Sequence, residues 1–140
     1  MKKLLNTSMI YAAAAMVGGV FYREFTKWNN FTGVTALGKV HAHLFMLGMM
    51  VFLLAALFSD RIDLDGDRNF RIFCVVYNIG VPLTAVMLAV RGILQVRGIQ
   101  LSAGADAAVS GIAGIGHILT GAGLILFLTA LKHASTPPRR

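Results

Sequence analysis

The chain has 140 residues, of which 56% are hydrophobic and 14% are charged. This composition lies outside the usual range of soluble domains, and the apolar residues fall in blocks near the ~20 residues that a helix needs to cross a bilayer. The basic residues behind the net charge of +7 flank those blocks, so they indicate membrane topology and not a nucleic-acid partner.

Four apolar runs predict four membrane-spanning helices, over residues 4–22, 36–58, 70–94 and 107–131. Little of the chain is left for a soluble unit. The predicted fold is therefore all-α: a single integral membrane domain over residues 1–140, built as a four-helix unit whose first partner is the lipid bilayer.

The distribution of basic residues between the two sides predicts the orientation. Arg23, Lys27, Lys39, Arg91 and Arg97 lie on one side. The other side carries the larger set: Lys2, Lys3, Arg61, Arg68, Arg71, Lys132, Arg139 and Arg140. The positive-inside rule then predicts a multi-pass protein of the cytoplasmic membrane with both termini in the cytoplasm.

The second run contains two histidines, His41 and His43, separated by one alanine. An ionisable side chain in such a segment costs a few kcal/mol to insert, so it usually faces a partner, a cavity or a cofactor. Helical residues advance about 100° each, which points the two imidazoles about 200° apart. The pair therefore cannot chelate one ion, and each histidine needs a partner of its own.

A third histidine, His117, lies in the fourth run on one helical face with Ser110, Gly114 and Gly121. All three histidines are predicted in the outer half of the bilayer. Small neighbours leave room for a flat macrocycle, and apolar surroundings suit a porphyrin held between imidazoles. The predicted cofactor is low-spin haem b, bound non-covalently, because the single cysteine excludes a Cys-x-x-Cys-His attachment site.

Three cations on the outer side are the predicted partners of the haem propionates. They are Lys39, Arg91 and Arg97, and they complete the predicted cofactor site with His41, His43 and His117. His41 and His43 are the predicted axial ligands of iron, with His117 as the alternative.

The stretch His41-Ala-His43-Leu-Phe-Met-Leu-Gly-Met-Met-Val-Phe resembles the His-x-His helix of haem–copper oxidase subunit I and the His-Ala-His motif of NnrS-type membrane haem proteins. The chain is similar to small uncharacterised four-span bacterial membrane proteins with this pattern. The resemblance implies a homotrimer that reproduces the twelve-helix oxidase fold, with haem between His41 of one subunit and His43 of the next. The third run lacks the histidines of the oxidase copper site, so reduction of oxygen or nitric oxide is not expected.

A second layout places haem within one subunit, between His43 and His117. Both layouts predict a membrane b-type cytochrome for electron transfer or haem handling, with a quinone or another redox partner. The alternatives are a small metal-ion or proton transporter that uses the intramembrane histidines, and a haem-free membrane scaffold.

Overall fold

A computed structural model describes residues 1–135. In this part of the chain four helices are long and apolar enough to cross a membrane: α1 (Lys2–Trp28), α2 (Ala36–Ser59), α3 (Arg68–Arg97) and α4 (Ala103–Ala134). The prediction of an all-α, multi-pass membrane fold is confirmed at this level. Two of the basic residues behind the predicted orientation, Arg139 and Arg140, lie outside the described residues.

The helix ends follow from local sequence. Asp67 caps α3, since its Oδ1 accepts hydrogen bonds from the backbone N–H groups of Asn69 and Phe70 at 2.7 and 3.1 Å. Gly98 ends α3 in the left-handed conformation, with φ of 63°. The first helix continues beyond the apolar run that ends at residue 22, through an aromatic segment in which Phe25 packs against the core.

Each helix packs against the next one in the chain. The Ser8 hydroxyl on α1 donates to the Met49 carbonyl on α2 at 2.9 Å. Phe52 on α2 lies against Phe73 and Tyr77 on α3, with ring centres 5.6 and 5.9 Å away. These three rings are at most 1% exposed and form the centre of the core. The third helix thus packs against both α2 and α4.

The second helix is irregular around its histidines. It begins as a 3₁₀ turn (Ala36–Lys39), continues as α-helix (Val40–His43), becomes a π-helix (Leu44–Met50) and ends as α-helix (Val51–Ser59). π-helical segments are rare and frequently accompany functional sites. This one starts directly after His43.

Candidate cofactor site

Two of the predicted site residues come together. The ring centres of His43 on α2 and His117 on α4 lie 6.3 Å apart, and the ring planes are inclined at 81°. The two side chains therefore meet across the space between α2 and α4, although both of those helices pack mainly against their neighbours in the chain.

Each of the two imidazoles has its tautomer fixed by its own helix. Nδ1 of His43 lies 2.9 Å from the carbonyl oxygen of Lys39, and Nδ1 of His117 lies 2.8 Å from that of Ala113. A carbonyl only accepts, so Nδ1 carries the proton and donates in both rings. Nε2 of each neutral ring is then left with its lone pair, which is the usual arrangement in histidines that bind a metal.

The spacing of the rings matches a metal held between them. A ring nitrogen lies about 1.1 Å from the ring centre and metal–imidazole bonds are about 2.0–2.1 Å long, so imidazoles on opposite sides of one metal have centres about 6.3 Å apart. The observed separation of the His43 and His117 rings is 6.3 Å. The separation of the ring centres is thus the one that two imidazoles on a shared metal would have.

The fourth helix has two faces of glycine, and only one of them is packed. A Cβ atom on Gly116 would lie 2.8 Å from Oγ1 of Thr84, and one on Gly123 would lie 2.7 Å from Cδ2 of Tyr77, so both glycines permit the close approach of α3. A Cβ on Gly114 or Gly121 would meet nothing within 4 Å. This open glycine face also carries His117.

Charged groups close the site towards the N-terminal end of α4. Arg91 on α3 donates to Oδ1 of Asp106 at 3.2 Å and to the hydroxyl of Ser110 at 2.7 Å. Ser110 lies two turns before His117 on the same face. Sequence reasoning missed Asp106, although it is the acidic residue nearest to the start of α4 and thus the nearest candidate partner of Arg91.

The other two predicted cations, Lys39 and Arg97, differ in their position along the helices relative to the histidines. Lys39 is exposed one turn before His43 on α2, so it belongs to the same end of the site as Arg91. Arg97 is exposed in the last turn of α3. Position thus favours Lys39 and Arg91 as partners of an anionic group beside the two rings.

His41 points away from this site. A Cβ atom on Gly19 would lie 3.6 Å from Cβ of His41, which places this histidine against α1. Its Nδ1 is buried and has no hydrogen-bond partner among the described residues. Within one subunit, the structure therefore brings together His43 and His117 and leaves His41 on another side of α2.

The pair is not part of a larger cluster of metal ligands. Among residues 1–135, no group of three or more His, Cys, Asp or Glu side chains is arranged to hold a metal ion. The candidate site is thus a pair of imidazoles in apolar surroundings with cations at one end.

The comparisons with known proteins place the chain in a family. A model described as "Protein of unknown function (DUF2871)" matches residues 1–134. The chain belongs to the DUF2871 family. No curated protein and no solved structure matches it. The resemblance to haem–copper oxidase subunit I and to NnrS-type proteins is therefore wrong as an assignment: the family match covers nearly the whole chain, whereas that resemblance depended on about a dozen residues around His41 and His43.

Proposed function

We propose that this DUF2871 protein is a membrane b-type cytochrome that binds one low-spin haem b between His43 and His117 of the same chain. The observation that carries the proposal is the pair of imidazoles with ring centres 6.3 Å apart, each with Nδ1 bonded to a backbone carbonyl and Nε2 free for a metal. Of the two layouts that the sequence allows, this pairing favours the one within a subunit.

The surroundings of the pair fit a porphyrin. Open space at Gly114 and Gly121 on both sides of His117 leaves room for a flat ring along α4. Lys39 and Arg91 at one end provide cations for two propionates, and the Asp106 carboxylate that Arg91 now binds is exposed, so water can solvate it if Arg91 turns to a propionate.

Bound haem would supply one-electron redox chemistry at the depth of the two histidines. His43 and His117 would both bind the iron, which would leave no position open for a gas, so the proposal is electron transfer or haem handling and not oxygen chemistry. The redox partner is a quinone or another membrane carrier. The basic residues support the cytoplasmic membrane as the location, with both termini inside.

The proposal includes a homotrimer, in which a neighbouring subunit covers the haem and does not supply a histidine to it. Haem within each subunit no longer needs His41 from a neighbour. The glycine face of α4 is open to lipid, however, and a macrocycle there would leave one edge uncovered. A neighbouring copy that packs on this face would cover that edge, and a closed ring of like subunits repeats the contact.

The haem content of purified protein tests the proposal. Protein produced with ample haem and extracted in mild detergent should give a pyridine haemochrome of haem b at one haem per chain, together with a low-spin reduced spectrum. A stable, folded and colourless protein would refute the proposal. In that case uptake of zinc or protons into proteoliposomes would identify a transporter that uses the same histidines, and inactivity in both assays would leave the scaffold.

A further inference from the structure

A groove open to lipid runs between α1, α2 and α3, apart from the histidine pair. It consists of two adjoining cavities of about 610 and 550 Å³ that share Thr7 and Asn78 in their walls. The first, which we call the inner cavity, extends along α1 to Ala14. The second ends at Lys2 and Lys3. The groove therefore leads from the membrane surface into the bilayer.

The walls of the inner cavity are mainly apolar, and their polar side chains are hydrogen-bonded within the protein. The Tyr11 hydroxyl donates to Oδ1 of Asn78 at 2.9 Å, and the Thr7 hydroxyl donates to a backbone carbonyl of its own helix at 3.0 Å. Small side chains make the space, with Ala14 on α1 facing Ala85 and Ala89 on α3 across the cavity. A hydrocarbon chain fits these walls without leaving an unpaired polar group against it.

The length of the groove corresponds to one leaflet of a bilayer. Ala14 lies twelve residues after Lys2, which is a rise of about 18 Å along α1, and one leaflet is about half of the ~30 Å hydrocarbon thickness. A single acyl chain that starts at the headgroup level would thus run along the whole groove and end near Ala14.

The surface end of the groove is lined by charged side chains. Lys2 and Lys3 line it and Asp65 is the acidic residue in its wall, which leaves an excess of positive charge. We propose that the groove binds an anionic phospholipid, with one acyl chain between α1 and α3 and the phosphate beside Lys2 and Lys3. This charge complementarity favours a lipid such as phosphatidylglycerol over a zwitterionic one.

Native mass spectrometry of the full chain tests the proposal, with phosphatidylglycerol or phosphatidylcholine added to delipidated protein. Phosphatidylglycerol should give a one-lipid adduct that survives activation, and phosphatidylcholine should bind at least tenfold more weakly. Equal retention of the two lipids would overturn the proposal. Retention of free fatty acid in preference to both would overturn the phospholipid as the occupant.

Three variants separate the groove from the general lipid shell. Ala14→Leu fills the inner cavity and should abolish the adduct, whereas Ala13→Leu, on the neighbouring exposed position outside the groove, should retain it. Lys2→Gln with Lys3→Gln should weaken phosphatidylglycerol binding about fivefold per lysine without changing phosphatidylcholine binding. An adduct in Ala14→Leu as strong as in the wild type, or an unchanged affinity in the double lysine variant, would refute the site.

Discussion

The two glycine faces of α4 allow the packing of the fold to be tested with a pair of nearly adjacent substitutions. In Gly116→Ala the new Cβ would lie 2.8 Å from Oγ1 of Thr84 and 2.9 Å from its backbone nitrogen. A contact with backbone cannot be relieved by a side-chain rotation, so α4 must move away from α3. Overpacking of this kind costs about 1–3 kcal/mol.

In the haem-free subunit Gly114→Ala is the matched control because its Cβ would meet nothing within 4 Å. Alanine gains about 0.8–1 kcal/mol over glycine in a helix, and this term is the same at both positions. The difference in free energy of unfolding between the two variants therefore reports the contact with Thr84 alone. We expect Gly116→Ala to be less stable than Gly114→Ala by about 1–3 kcal/mol.

The measurement is reversible unfolding of haem-free protein in mixed micelles, with the loss of helical circular dichroism followed as the mole fraction of SDS increases. Gly116→Ala should unfold at a lower mole fraction than Gly114→Ala, and Gly114→Ala at the same mole fraction as the wild type or a higher one. Equal midpoints for the two variants, or a lower midpoint for Gly114→Ala, would refute the assignment of Gly116 to the packed face.

Three further predictions concern the proposed haem site. Gly121→Leu should keep the helix content of the wild type but weaken haem binding about tenfold or more in a spectroscopic titration, because leucine occupies the open face of α4; undiminished affinity would exclude that face as the porphyrin site. The inclination of 81° between the rings of His43 and His117 predicts a highly anisotropic low-spin ferric signal in electron paramagnetic resonance, whereas a rhombic signal would indicate parallel rings. Native mass spectrometry in mild detergent should find three chains with three haems, and a haem-loaded monomer would contradict the trimer while leaving the axial pair intact.

The sequence predicted the helices well because membrane insertion depends on local composition. Each of the four apolar runs lies within one of the helices. The apolar run that ends at residue 22 does not indicate the end of α1, since a count of apolar residues follows burial in lipid and the helix continues through an aromatic segment to Trp28. The π-helix after His43 has no counterpart in the apolar pattern, since that pattern continues unchanged through it.

The pairing within the candidate site was harder to predict because it depends on tertiary packing. The angle of 100° per residue separates the directions of His41 and His43, but only the positions of α1 and α4 decide which histidine meets which neighbour. The sequence also does not reveal which glycines of α4 are packed. Gly114 and Gly121 have the same seven-residue spacing as Gly116 and Gly123, and only the approach of α3 distinguishes the open face from the packed one.

The most direct test of the central claim compares two histidine variants by the reduced-minus-oxidised spectrum per chain. If His43 and His117 are the axial pair, His117→Ala should lose the low-spin spectrum or convert it to high-spin, and His41→Ala should keep the low-spin spectrum and one haem per chain. The opposite result, with the low-spin spectrum lost in His41→Ala and retained in His117→Ala, would contradict the site within one subunit.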